Sequence, residues 1–140
     1  MSKGYEYLEH TADVYIKATG TSLHEAFENA GKATTEVMTD IDKIKPIEHL
    51  KITIEANNLE ELLYQWLEEI LFRFDAEGLL ISDFEVNEIE EDGSHLEGIM
   101  KGEEFDPDKH PQRLGVKAAT YHMMEIEKNG SFVLKFVLDV

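Results

Sequence analysis

The chain has 140 residues, enough for one domain with a buried core of its own. With 42% hydrophobic and 31% charged residues it is not a disordered tail, and the absence of cysteine excludes a disulfide framework, a thiolate metal site and a thiol nucleophile. Thirty acids against thirteen bases give a formal charge of −17, which disfavours direct binding of nucleic acid and favours cations or a basic partner, although solubility alone also accounts for such acidity.

The opening MSKGYEYLEH has no apolar run of the signal-peptide kind, and no stretch approaches the roughly 18 apolar residues of a membrane span. A soluble, cytoplasmic protein with no membrane contact is expected. No linker or repeat divides the chain, so residues 1–140 read as a single domain.

Val14, Ile16 and Ala18 alternate with Tyr15 and Lys17, the period of a strand, which Gly20 ends. Ser22 and Glu25 form an S-x-x-E capping box. Leu23, Ala26, Phe27, Ala30, Thr34, Val37 and Met38 then follow at spacings of three and four, predicting an amphipathic helix over 22–38. Ile52 and Ile54 alternate with Lys51, Thr53 and Glu55, predicting a second strand.

Asn57 or Asn58 caps the next helix. Its apolar stripe runs Leu59, Leu62, Leu63, Trp66, Leu67, Ile70, Leu71 and Phe74, with Glu60, Glu61, Glu68 and Glu69 outside. Core packing is the better reading of that stripe, and a groove for a partner helix the lesser one. Beyond Gly78, Leu79 to Ile89 and Leu96 to Glu103 flank Asp92-Gly93, a hairpin signal. Gly102 to Gly115 is polar, holds two prolines and reads as a loop.

Val116 to Lys128, Asn129-Gly130 and Ser131 to Val140 have the pattern of a terminal hairpin, and Asn-Gly favours a two-residue type I′ turn. With Lys128 and Ser131 flanking that turn, Ile126 faces Val133, Met124 faces Lys135, His122 faces Val137 and Thr120 faces Asp139. A slip of one residue would undo this register.

Asp139 ends a strongly apolar strand, one residue before the α-carboxylate of Val140. Either the strand end reaches water, or these two anionic groups begin a hard-cation site that a third carboxylate would complete. Asp13 is the candidate third carboxylate, in the segment Glu9-His10-Thr11-Ala12-Asp13, which also reads as a turn bonding its own backbone. Lys117 is a candidate for a phosphate or an acidic partner, or for an ordinary ion pair. His10 and His122 lack the spacing of a zinc motif. No phosphate loop, nucleophile elbow or dinucleotide fingerprint is present, which disfavours a nucleotide-binding enzyme.

Four segments, in order, resemble the archease family: Tyr5 to Asp13 its opening signature, Leu62-Leu63-Tyr64-Gln65-Trp66-Leu67 its second helix, Val116 to His122 its lysine-bearing strand, and Leu138-Asp139-Val140 its ending. The resemblance implies an α+β fold with an SHS2-type strand-helix-strand-strand module and added strands, two main helices packing on a largely antiparallel sheet. It implies an accessory activator, not an enzyme, partnered with an RtcB-type 3′-phosphate RNA ligase in tRNA splicing. Such activators speed guanylylation of the ligase histidine and permit multiple turnover. It also implies a divalent metal ion, Ca²⁺ or Mg²⁺, held by Asp13, Asp139 and Val140. Lys117 carries over less firmly as an activating residue, with Glu9, His10 and His122 as further candidates at the partner face. A metal-dependent phosphoesterase and a general chaperone or modulator of RNA-processing enzymes are the alternatives.

Overall fold

The computed structural model describes residues 4–8 and 13–140. In chain order the elements are β1 (Tyr5–Leu8), β2 (Val14–Gly20), α1 (Leu23–Met38), a short 3₁₀ turn (Ile41–Lys43), β3 (Glu48–Glu55), α2 (Leu59–Glu77), β4 (Leu79–Ile89), β5 (His95–Glu104), β6 (Ala118–Asn129) and β7 (Ser131–Asp139). The fold is α+β, and every described strand pair is antiparallel. The strands divide into two sheets, ordered β1-β2-β7-β6 and β3-β5-β4. Both helices touch strands of both sheets, α1 against β2 and β4 and α2 against β6, β4 and β3.

Local chemistry sets the helix ends. The Ser22 hydroxyl accepts the Glu25 N–H at 3.1 Å, and the Glu25 carboxylate reaches back to the Thr21 N–H at 2.7 Å, one residue beyond the usual reciprocal bond of a capping box. Asn58, not Asn57, caps α2 by accepting the Glu61 N–H at 2.8 Å. Gly78 closes α2 in the left-handed region, φ 68°, returning its N–H to the Arg73 and Phe74 carbonyls.

The apolar stripes meet in one core. Trp66 is fully buried, and its Nε1–H donates to the Phe27 carbonyl of α1 at 2.9 Å, which joins the helices while satisfying the indole. Its ring also meets Phe84 of β4 edge-on at 6.0 Å. The core reading of the α2 stripe therefore holds. From the four-stranded sheet, Ile16, Ala18, Leu134, Phe136 and Leu138 are fully buried.

The terminal hairpin forms, but in a different register. Asn129 pairs with Ser131 and Lys128 with Phe132, so Val133 faces Glu127 and Lys135 faces Glu125. A type I′ turn needs positive φ at both central residues, yet here Gly130 (φ 78°) takes it and Asn129 does not. The ladder then breaks between Thr120 and Glu125, where Met123 sits at φ 58°, and resumes with Thr120 opposite Val137. Four residues of β6, 121–124, are therefore set against Phe136 alone. Asp139 consequently faces Ala118 rather than Thr120, and His122 lies in the bulge rather than diagonal to Asp139.

Candidate functional site

One end of the four-stranded sheet gathers the ends of β2, β7 and β6. Val14, the first residue of β2, pairs with Leu138. Continuing that register by one step sets Asp13 opposite Asp139, although these positions lie at the two ends of the chain. On the other side of β7, Asp139 faces Ala118, and the Lys117 N–H donates to the Asp139 carbonyl at 2.7 Å. Asp13, Asp139 and Val140 are each partly exposed, and Val140 also packs against the core.

Leu138 fills the core, so alternation turns Asp139 to the opposite face. Among the described residues, the carboxylates nearest this end are those of Asp13 and Asp139, beside Val140. That set fits a hard divalent cation, which takes oxygen ligands, and offers no nitrogen or sulfur to a softer one.

Lys117 precedes β6 rather than lying within it, and its side chain is exposed. Among the described residues its ammonium has no ion-pair partner. His122 is exposed in the bulge, four residues along from Ala118, and its backbone N–H donates to the Thr120 hydroxyl at 3.2 Å. Glu9 and His10 lie outside the described residues.

The polar segment is built in more tightly than its composition suggests. β5 continues to Glu104, so the loop proper covers 105–117. The Arg113 and Leu114 N–H groups donate to the Met38 and Val37 carbonyls, each at 3.0 Å, and satisfy groups that the end of α1 leaves open. The Arg113 guanidinium also binds the Glu36 carboxylate at 2.6 Å. Together they wall a groove beside Asp13 with Tyr7, Tyr15 and Leu114.

The root of the loop is fixed by Glu103. Its Oε2 accepts from the Lys109 ammonium at 2.6 Å, the Lys45 N–H at 2.8 Å and the His110 ring at 3.0 Å. His110 is fully buried, and its Nδ1 accepts the Asp106 N–H at 2.9 Å, which leaves Nε2 as the protonated nitrogen that faces Glu103. Burial pushes the Glu103 carboxyl up, but the bonds from Lys109, Lys45 and His110 outweigh it and hold the group at about 2. No periodic pattern marks these residues in the sequence, because their partners come together only when the loop folds back.

The archease protein family matches residues 5–140. The chain is 50% identical over 137 residues to an archease of Sulfurisphaera tokodaii, covering 97% of this chain and 98% of that one. It is 41% identical over 138 residues to an archease of Methanopyrus kandleri, covering 97% and 99%. The solution structure of protein 1598 from Methanobacterium thermoautotrophicum superposes with a TM-score of 0.83 at 39% identity, covering 99% of this chain and 100% of that one. With the helices, the antiparallel sheets and near-complete coverage in agreement, the chain belongs to the archease family.

Proposed function

We propose that this protein activates an RtcB-type RNA ligase in tRNA splicing through a divalent cation held by Asp13, Asp139 and the α-carboxylate of Val140. The observation that carries this reading is the β2–β7 register, which pairs Val14 with Leu138 and, continued by one step, supports a meeting of Asp13 with Asp139 beside Val140. Membership of the archease family supports this reading, and the step we assign to the activation is guanylylation of the ligase histidine.

The cation, Ca²⁺ or Mg²⁺, would supply charge neutralisation beside a nucleotide's phosphates. The two aspartates bind it and hold it at the end of the sheet. Lys117, whose backbone N–H bonds the Asp139 carbonyl and whose ammonium has no ion-pair partner among the described residues, is assigned to the partner face. The net charge of −17 draws the protein to a basic RNA-binding surface and keeps free RNA away from its own. Such a role fits a cytoplasmic protein; among the described residues no helix is long and apolar enough to cross a membrane.

A guanylylation time course of the ligase, with and without this protein, tests the proposal. Wild-type protein accelerates the reaction, whereas Asp13→Asn and Asp139→Asn do not, with folding intact. Full acceleration by either variant removes the cation from the mechanism.

A further inference from the structure

The three-stranded sheet carries a separate group of ligating side chains. His95 and Glu97 flank the buried Leu96 on β5 and therefore share the opposite face. The register sets Glu55 of β3 across from His95, and Glu88 of β4 across from Glu97.

The second pairing depends on a bulge. Val86 faces Gly98 and Glu85 faces Ile99, so an unbroken ladder would place neutral Asn87 opposite Glu97. The shift between Val86 and Glu88 brings an acid there instead. Like charges directly opposite each other destabilise a sheet unless something positive lies between them. Among the described residues no lysine or arginine pairs with Glu55, Glu88 or Glu97, and a single imidazole faces all the negative charge.

The imidazole is held at both ends. Its Nδ1 lies 2.7 Å from Glu55 Oε1 and its Nε2 lies 2.8 Å from Glu97 Oε2. One ligating atom from each of Glu88, His95 and Glu97 lies within 4.8 Å of the others. Tetrahedral ligands at zinc distances stand roughly 3.3 Å apart, so small side-chain rotations suffice to close them on an ion.

We propose that Glu88, His95 and Glu97 bind one first-row divalent cation of the zinc class, with Glu55 accepting the Nδ1–H so that Nε2 is the ligand. A carboxylate behind a ligating imidazole fixes its tautomer and raises its basicity. One nitrogen with two carboxylates suits Zn²⁺ or Co²⁺ better than Ca²⁺. Binding takes the Nε2 electron pair, so any proton on that nitrogen leaves to solvent while Nδ1 keeps its own. The site shares no residue with Asp13, Asp139 or Val140, and its chemistry differs from theirs.

The test titrates metal-free, full-length protein carrying Asp13→Asn and Asp139→Asn with Co²⁺, followed by visible absorption and by the His95 ring resonances. One equivalent is expected to bind and to shift those resonances. His95→Ala and Glu97→Gln should abolish the absorption change, and Glu55→Gln should weaken binding roughly tenfold. Circular dichroism checks that each surface variant is folded. Absence of Co²⁺ binding, or binding that survives His95→Ala, overturns the assignment. A parallel Ca²⁺ titration, compared between the wild type and the Asp13→Asn, Asp139→Asn protein, isolates the oxygen site, so the two proposals fail separately.

Discussion

Replacing Glu103 by Gln removes the charge on which the Lys109 ammonium, the Lys45 N–H and the His110 ring converge. A carboxyl lowered from its ordinary 4.5 to about 2 corresponds to about 3 kcal/mol at full strength. The Lys109 side chain is 35% exposed, so solvent screens its share. The remaining bonds lead us to expect about 1.5 kcal/mol at pH 7. The pH dependence has a definite sign. The folded carboxyl lies below its unfolded value, so its contribution is complete above about pH 4.5 and is lost as pH falls towards about 2. Urea denaturation of wild type and Glu103→Gln from pH 7 to pH 3 measures this. The gap between the two should be constant at the upper end and narrow below pH 4.5. An equal gap at pH 3 and pH 7, or none at pH 7, would refute the view that a charged Glu103 anchors the loop.

Trp66→Ala should cost about 3–5 kcal/mol in the same assay, since it empties the centre of the core and removes the indole bond to the Phe27 carbonyl that ties the two helices together. Ser22→Ala and Asn58→Ala should each cost about 1 kcal/mol through the lost caps, and additively, because they serve different helices. Met123→Gly should raise the unfolding free energy by up to about 1 kcal/mol, since relief of an exposed residue at φ 58° exceeds the entropy that glycine adds to the unfolded chain. The His95 ring should titrate above 6.5 by NMR, because the hydrogen bonds to Glu97 and Glu55 favour its charged form. That stabilisation is present below 6.5 and lost as pH rises through the folded value.

The helices were legible because their signals are local. Ser22 with Glu25, Asn58 with its apolar stripe and Gly78 each act within a turn or two of where they stand. Strand existence was legible for the same reason, from the alternation around Ile16 and Ile54. Pairing was not. Asn129-Gly130 permits more than one turn geometry, and the bulge at 121–124 changes the offset farther along the same ladder. The division into two sheets depends on which strands the helices separate, and periodicity contains no such information. The aspartates stand out in the sequence by their company: Asp139 by the apolar strand it ends, and Asp13 by the polar cluster around it. Their placement across from each other depends on β2 pairing with β7, which no local pattern encodes. Glu88 was invisible for a similar reason, since a bulge sets its partner.

The last strand of the chain does not sit at an edge. β7 lies between β2 and β6, and Val14 waits for Leu138 across almost the entire sequence. Closing so wide a loop is entropically costly, and this sheet cannot assemble strand by strand in the order of synthesis. Until β7 arrives, β2 and β6 each keep an unsatisfied backbone edge, which is a template for association with other chains. Folding should therefore be late and all-or-none, with aggregation competing most strongly just before the final strand inserts.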